Sequence, residues 1–190
     1  MKTLASLLRP VAASILVLSL ALLGCSGDRV EGTEGTVILS ITDFDGLPIA
    51  ASVNTIAQAG FLQVDEITVS NFPKNPRGVT SELQSVELET VEIVYSRADQ
   101  GTRVPPPRVR RIFGLVPVNG TFTVENLDIL GLEQVLNPPL EDMLFENGGF
   151  DRETGAPLII LDVRIRFFGR TLSGDEVATA FDSFTLELFP

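Results

Sequence analysis

The stretch IILDVRIRFFGR, residues 159–170, contains the most regular pattern in the chain. Apolar side chains occupy alternate positions, and the positions between them are mostly charged. Because successive side chains of a β-strand point to opposite faces, this alternation predicts a half-buried strand, typical of an antiparallel sheet. The predicted inward residues are Ile159, Leu161, Val163, Ile165 and Phe167, and the predicted outward residues are Asp162, Arg164, Arg166, Phe168 and Arg170.

The same two-residue period recurs towards both ends of the chain. It predicts a strand near residues 36–42 and another near residues 177–189. Further strands are expected at ASVNT, residues 51–55, and at DEITVSN, residues 65–71. The predicted inward residues of the first two strands are Val37, Leu39 and Ile41, and Phe184, Leu186 and Leu188.

Two features interrupt the simple alternation. In SVELETVEIVYSR, residues 85–97, the alternation changes phase near Glu89 and Thr90, which predicts a β-bulge or a break in the strand. Farther along, the pair Asn119-Gly120 suits a type I′ turn, which needs a positive φ at two positions. This pair therefore predicts a β-hairpin.

We expect seven to nine short strands separated by turns rich in Gly, Pro and Asn. This pattern predicts an all-β chain that folds as a single antiparallel β-sandwich over residues 36–190. In outline the pattern resembles immunoglobulin-like and fibronectin-III-like domains, without the tryptophan and the cysteine pair of antibody domains. The resemblance makes Tyr95 a candidate for the tyrosine corner of such folds, and the alternative is an ordinary core residue.

The start of the chain has the layout of an export signal. Lys2 and Arg9 precede an apolar run of 13 residues, Val11 to Leu23, and no acidic residue is present there. A helix that crosses a membrane needs about 20 apolar residues, so this run is too short to be a permanent anchor.

Cys25, the one cysteine of the sequence, ends the tetrapeptide Leu22-Leu23-Gly24-Cys25, which resembles the lipobox of bacterial lipoproteins. The resemblance implies that residues 1–24 are a signal peptide that is removed, and that a diacylglycerol is attached to the Cys25 thiol. Residues 25–35 would then form the lipidated N-terminus and a flexible tether. Because the next residue is a serine, similarity to the sorting rule of enteric bacteria implies the outer membrane. We therefore expect an exported protein, anchored by lipid in the cell envelope.

The composition excludes several classes of function. The sequence contains no histidine, and its one cysteine is the expected lipid attachment site. This leaves no Ser-His-Asp or Cys-His arrangement for nucleophilic catalysis and few ligands for zinc, copper or haem. Without residues 1–24, which include Lys2 and Arg9, 12 basic and 25 acidic side chains give a net charge of −13. Such a charge opposes nucleic-acid binding.

Calcium is the alternative ligand, because it takes oxygen atoms that several acidic turns can supply together. Asp43 and Asp45 lie in DFDG, and Asp151 and Glu153 lie in DRETG. The Asp-Arg-Glu of the second segment resembles a calcium-binding motif of cadherin repeats, which implies a calcium-stabilised adhesion domain. The alternative is that both segments are plain β-turns, which favour Asp and Gly.

The segment RVPPPRVRR, residues 103–111, contains a basic cluster of Arg103, Arg108, Arg110 and Arg111. Its three prolines favour an extended polyproline II conformation. One hypothesis is a protruding loop that binds an acidic or aromatic-lined protein partner. The other hypothesis is an edge segment whose prolines and charges prevent pairing with strands of other chains.

The leading hypothesis is a lipid-anchored, non-catalytic β-sandwich of the cell envelope that acts as a structural, adhesive or accessory binding module. Its expected partners are the membrane, through the lipid on Cys25, and an envelope protein, with no cofactor. A calcium-stabilised adhesion domain is the second hypothesis. A hydrolase that uses two carboxylates is the third, because an enzyme without histidine would depend on its acidic residues.

Overall fold

The computed structural model describes residues 35–44 and 47–190, which form an all-β fold with a few short helices. The strands are β1 (Val37–Phe44), β2 (Ile49–Ser52), β3 (Phe61–Pro73), β4 (Val86–Arg97), β5 (Arg108–Val116), β6 (Thr121–Gly131), β7 (Ile159–Thr171), β8 (Glu176–Ala178) and β9 (Asp182–Phe189). The helices are α1 (Val53–Ala59) and α2 (Leu132–Val135), with 3₁₀ turns at Glu82–Gln84, Glu141–Met143 and Phe145–Asn147. The predicted all-β class and the predicted number of strands are confirmed.

The nine strands of the described residues form two sheets. Strands β1, β3 and β6 pair in that order in an antiparallel sheet. The larger sheet has the order β2-β9-β7-β4-β5, with β8 paired to β7. The expectation of purely antiparallel pairing is wrong, because β2 runs parallel to β9. A period of two residues indicates which face of a strand is buried, but it carries no information about the direction of the neighbouring strand.

Strand β7 lies in the interior of the larger sheet, between β4 and β9. Its alternation is confirmed, because all five predicted inward residues are buried and the predicted outward residues are exposed or half-buried. The inward residues predicted for β1 and β9 are also buried. Buried side chains from both sheets form one hydrophobic cluster. Burial of each large apolar side chain stabilises the fold by about 1.5–3 kcal/mol.

The predicted irregularity of β4 is a β-bulge. The pairing of β4 changes register between Leu88 and Thr90 against both β5 and β7. Against β7, Leu88 pairs with Gly169 and Thr90 pairs with the residue just before that glycine, so Glu89 is left without a partner. A Cβ atom at Gly169 would overlap the carbonyl oxygen of Glu87, so the close approach of β4 and β7 requires glycine.

The prediction of a strand at residues 51–55 is wrong for residues 53–55, which are helical. Strand β2 ends at Ser52, and α1 begins at Val53. The side-chain oxygen of Ser52 accepts a hydrogen bond from the backbone N–H of Thr55 at 3.3 Å and so caps the helix. Gly60 ends the helix in the left-handed conformation, with a φ of 90°. Capping at both ends therefore overrides the β-propensity of Val53 and Thr55.

The hairpin predicted at Asn119-Gly120 is also wrong, because β5 and β6 belong to different sheets. The backbone N–H of Gly120 donates to the carbonyl oxygen of Pro117 at 3.0 Å and closes a four-residue turn. Of the two predicted residues, Asn119 alone has a positive φ, 56°, which is typical of a type II turn. The turn takes the chain from one sheet to the other.

Tyr95 joins the two sheets. Its side chain is buried in β4, and its hydroxyl donates a hydrogen bond to the backbone carbonyl of Ile129 in β6. Burial raises the pKa of Tyr95 well above its usual range, so the hydroxyl keeps its proton and remains a donor. A tyrosine corner bonds to the backbone a few residues upstream, whereas Ile129 lies 34 residues downstream. Tyr95 is therefore a contact between the sheets and not a tyrosine corner.

The two sheets share a proximal end and a distal end. At the proximal end, where the described chain begins, Gly35 lies against Val177, and Asn71 of β3 donates to the carbonyl oxygen of Val116 in β5 at 3.2 Å. The helices α1 and α2 lie at the opposite, distal end. There the chain runs from α2 to β7 through residues 136–158, which we call the distal loop.

We expect Gly169→Ala to lower the free energy of unfolding by about 1–3 kcal/mol, because the new methyl group would overlap the backbone of β4. Urea denaturation followed by circular dichroism measures this change. Gly78→Ala is the control, since Gly78 is exposed and its nearest neighbours are atoms of Asn75 at 3.2 Å. A Gly169→Ala protein as stable as the Gly78→Ala protein would contradict the close approach of the two strands.

Candidate functional site

A network of buried ion pairs joins the end of β4 to the distal loop. Arg97 is the last residue of β4, and its side chain is only 3% exposed, while the side chain of Asp151 is fully buried. Nη2 of Arg97 donates to Oδ2 of Asp151 at 2.8 Å, and Nε of Arg97 donates to Oδ1 of Asp99 at 2.6 Å. Because the donors of a guanidinium group have a fixed geometry, Arg97 holds both carboxylates in defined positions.

Asp151 uses both of its carboxylate oxygens in hydrogen bonds. Its Oδ1 accepts from Nη2 of Arg103 at 3.1 Å and from the backbone N–H of Glu153 at 3.0 Å. Its Oδ2 accepts from the hydroxyl of Thr154 at 2.9 Å, in addition to the bond from Arg97. Four donors therefore compensate the cost of burying this charge.

Arg103 and Glu153 extend the network towards the surface. Nη2 of Arg103 also donates to Oδ2 of Asp142 at 2.9 Å. The carboxylate of Glu153 accepts from the backbone N–H groups of Thr102 and Arg103, at 2.9 and 3.0 Å. These contacts fasten residues 98–107, between β4 and β5, to the distal loop at several points.

The network lowers the pKa of its carboxyl groups. Burial alone would raise the pKa of Asp151, but hydrogen bonds, led by the one from Arg97, lower it to about 2. For Asp99, hydrogen bonds from Arg97 and from two backbone N–H groups likewise outweigh burial and lower the pKa. The pKa of Glu153 is lowered mainly by the hydrogen bond from the Thr102 hydroxyl. These carboxyl groups are therefore ionised at neutral pH.

Of the four predicted calcium ligands, two lie in this network. Asp151 and Glu153 accept hydrogen bonds there, Asp43 is exposed on β1, and Asp45 lies outside the described residues. Within residues 35–44 and 47–190, no group of three or more acidic, His or Cys side chains is placed to hold a metal ion. Calcium binding stays a prediction, and at Asp151 the ion would have to displace a guanidinium group.

The predicted basic segment is divided between a loop and a strand. Arg103 belongs to the network, whereas Arg108, Arg110 and Arg111 lie in β5. Arg110 forms an ion pair with Asp128 of β6, and Nη2 of Arg108 is 3.7 Å from the same carboxylate. The three prolines directly precede β5, which is an edge strand of the larger sheet. Both hypotheses, a partner-binding loop and a protected edge segment, therefore stay predictions.

Arg97, Asp99 and Asp142 were not predicted as site residues. Arg97 and Asp151 are 54 residues apart in the sequence, and no local pattern connects them. One signal was present in the alternation of β4. After the bulge, the buried positions 91, 93 and 95 lead in steps of two to Arg97, so the alternation places a charged residue on the inward face. A charge at such a position requires a buried partner.

Cys25 lies outside the described residues, as do the predicted signal peptide and residues 25–34 of the predicted tether. Lipid attachment therefore stays a prediction. In the part of the chain that is described, no helix combines the length and the hydropathy that crossing a membrane requires.

The distal loop carries two exposed phenylalanines beside the network. Phe145 is 72% exposed and Phe150 is 43% exposed. The backbone N–H of Phe145 donates to the side-chain oxygen of Asn54 in α1 at 3.1 Å, and Phe150 directly precedes the buried Asp151. Exposed aromatic side chains on a backbone held in this way are typical of protein-binding surfaces.

Comparison with known proteins identifies no family. No model of a known protein family matches the chain, and no curated protein matches it. Among solved structures, the chain is similar to the X-ray structure of Northeast Structural Genomics Consortium target SoR45. That similarity covers 79% of this chain and 82% of the other, with 11% sequence identity and a TM-score of 0.33. A likeness at this level supports no conclusion about function.

We expect Asp151→Asn to lower the free energy of unfolding by about 3 kcal/mol at pH 7, because it removes the buried charge that pairs with both Arg97 and Arg103 and leaves Arg97 with Asp99 as its one carboxylate partner. Urea denaturation measures this change. The control is Glu176→Gln, which removes an exposed partner of Arg170 at 3.2 Å. For this surface pair we expect a change of less than about 1 kcal/mol.

The cost of Asp151→Asn should shrink as the pH falls. The folded-state pKa of about 2 lies below the usual value, so the ionised carboxyl contributes stability above about pH 4 and loses it as the pH falls through about 2. Urea denaturation of the native and the Asp151→Asn proteins at about pH 2 tests whether the difference in the free energy of unfolding has become smaller. A cost equal at the two pH values would contradict an electrostatic role for Asp151.

We expect millimolar calcium to leave the melting temperature unchanged, because Arg97 and Arg103 already compensate the Asp151 carboxylate. Differential scanning calorimetry measures this, with the same concentration of magnesium as the control for ionic strength. A ligand that binds the folded state alone raises the melting temperature. A rise with calcium that disappears in Asp151→Asn would contradict this expectation and support the calcium-stabilised adhesion domain.

Proposed function

We propose that this protein is a lipid-anchored, non-catalytic binding module of the bacterial cell envelope, with an accessory or adhesive role. One observation carries the proposal. The distal loop, fastened by the buried pair of Arg97 and Asp151, displays Phe145 and Phe150 at the end opposite Gly35. A loop already held in one conformation suits binding, because little conformational entropy is lost when a partner is bound.

The proposed anchor lies on the proximal side of the fold. In this proposal residues 1–24 are removed, Cys25 carries the lipid, and residues 25–35 connect it to the proximal end. Acyl chains contribute about 0.8 kcal/mol for each buried methylene, so two or three chains give stable attachment. β7 has 13 residues and runs between the two ends, a rise of about 40 Å. The distal loop would therefore face away from the membrane, which we propose is the outer membrane.

The state of the carboxylates supports a non-catalytic role. A carboxylate-dependent hydrolase needs one carboxyl group that can transfer a proton and a second that acts on the substrate or on water. Asp99 and Asp151 are held in the ionised form by Arg97, and Asp142 pairs with Arg103 at 2.9 Å. The network is better suited to fixing two loops than to transferring protons, so a hydrolase remains the third candidate.

We further propose that the two sheets form an immunoglobulin-like sandwich. In such folds strands A, B and E belong to one sheet, and strands C, F and G belong to the other. Assigning β1, β3 and β6 to A, B and E, and β4, β7 and β9 to C, F and G, agrees with the orders β1-β3-β6 and β9-β7-β4. In this assignment β5 is the additional edge strand C′, and β8 is an addition between F and G.

Photo-crosslinking in living cells tests the proposed function. A full chain carrying Phe145→benzoylphenylalanine should capture one protein partner, because Phe145 is 72% exposed on the distal loop. The matched control is Val79→benzoylphenylalanine. Val79 is 98% exposed in the segment after β3, at the proximal end, and should capture no specific partner.

Combining each crosslinker with Cys25→Ser tests the anchor separately. We expect the unlipidated protein to leave the membrane fraction and to lose the partner captured through position 145. Equal capture from positions 145 and 79, or no capture from position 145, would contradict a distal binding surface. A Cys25→Ser protein that stays in the membrane fraction would contradict the lipid anchor but not the distal binding surface.

A further inference from the structure

The first half of β5 has charged side chains on its inward side, whereas Ile112 and Val116 in the second half pack inward as in an ordinary strand. Its inward side carries Arg108 and Arg110, which reach Asp128 on β6 of the other sheet. Nη1 of Arg108 also donates to the side-chain oxygen of Gln134 at 3.0 Å. Charged side chains therefore close the gap between the two sheets at this edge.

The outward side of β5 is mostly apolar. Val109 is 66% exposed, Phe113 is 85% exposed and Leu115 is 47% exposed, and Arg111 is the one charged residue among them. The solvent-facing positions of a half-buried strand are ordinarily polar. Exposed apolar side chains grouped along one strand are typical of surfaces that bind another molecule.

A groove runs beside this row on the outer face of the sheet. It has a volume of about 810 Å³ and lies between β4 and β5. The bulge of β4 helps to shape it, because residues on both sides of the register shift line the groove. Its apolar wall consists of Phe113 and Leu115, and its charged groups are Glu87, Glu89 and Arg111.

We propose that this groove and the outer face of β5 bind an extended segment of a protein partner in which apolar side chains alternate with Lys or Arg. The apolar side chains contact Phe113 and Leu115, and the basic side chains pair with the acidic residues of β4. Glu87 has no ion pair among the described residues, and Glu89 is 3.8 Å from the exposed Arg170. Both carboxylates are therefore accessible to a basic partner.

Charge favours such a partner over a second copy of this chain. The chain has a net charge of −11, and −13 without residues 1–24, so two copies repel each other. The groove itself holds two carboxylates and one guanidinium. A two-fold contact would bring four carboxylates and only two guanidinium groups into one interface, whereas a basic segment supplies the positive charge that neutralises the carboxylates.

The backbone of β5 supports an extended partner. One side of β5 pairs with β4, and within the described residues no strand pairs with its other side. An extended segment can therefore add to this edge through main-chain hydrogen bonds while its side chains enter the groove. Pro105, Pro106 and Pro107 lack backbone N–H groups, so such pairing is confined to the part of the chain that follows them. This surface is separate from the distal loop, and the inference does not depend on the proposed function of that loop.

Peptide titration tests the inference on the full chain held in nanodiscs of uncharged phosphatidylcholine. The probe is a short peptide of alternating Lys and Phe, compared with a Glu-Phe peptide and a Lys-Ser peptide of the same length. We expect the Lys-Phe peptide to bind at least about tenfold more tightly than either comparison peptide, because it alone supplies both apolar contacts and positive charge. Isothermal titration calorimetry measures the affinities, with empty nanodiscs as the blank.

Variants locate the binding surface. Phe113→Ser, and separately Glu87→Gln with Glu89→Gln, should each weaken binding of the Lys-Phe peptide about tenfold. The matched controls are Phe72→Ser, at a phenylalanine 47% exposed on the other sheet, and Glu187→Gln, at an exposed residue of β9. Both controls should bind as the native chain does.

Three outcomes would overturn the inference. In the first, the Lys-Ser or the Glu-Phe peptide binds as tightly as the Lys-Phe peptide. In the second, the Phe113→Ser protein binds the Lys-Phe peptide as tightly as the native chain does. In the third, sedimentation of the native chain shows a dimer that the Phe113→Ser substitution dissociates, which would mean that a second copy of the chain covers this face. Because Phe113 is 85% exposed, its replacement should leave the fold intact, and an unchanged melting temperature verifies this.

Discussion

Burial of the alternate apolar side chains of β7 is the constraint on which the rest of the structure depends. β7 pairs with β4, β8 and β9, and its inward side chains belong to the core that both sheets share. A slip of one residue would bring Arg164 and Arg166 into that core, so the register of β7 is fixed. That register sets the position of β4, including the close contact at Gly169 and the bulge at Glu89.

The buried network follows from where β4 ends. The phase of β4 places Arg97 on the inward face, and a buried guanidinium requires carboxylates around it. Asp99 lies in residues 98–107, which connect β4 to β5, whereas Asp151 lies in the distal loop. Arg97 therefore joins two long connections. This arrangement fixes the positions of both loops, which would lower the entropy cost of binding at the surface proposed for the distal loop. The second surface that we propose, the outer face of β5, differs from the distal loop because its exposed apolar side chains lie on a regular strand.

Local patterns predicted the faces of the strands and failed where the structure depends on distant partners. The inward residues of β7, β1 and β9 and the irregularity near Glu89 were predictable, because alternation over neighbouring residues determines them. The helix α1 was missed although Ser52 and Gly60 are ordinary capping signals. The parallel pairing of β2 and the contact between Arg97 and Asp151 were not predictable, because they join segments far apart in the sequence. The segment DRETG was predicted to bind calcium, but its carboxylates, those of Asp151 and Glu153, form ion pairs with arginine side chains.

Hydrogen exchange of backbone amides tests most directly whether the buried network fixes the distal loop. The N–H groups of Thr102 and Glu153 donate to carboxylates of the network, and that of Gly155 donates to the carbonyl oxygen of Asp151. If the network fixes both loops, these amides exchange slowly, at rates that approach those of β7. Exchange as fast as in the open segment around Val79, while β7 stays protected, would contradict this account.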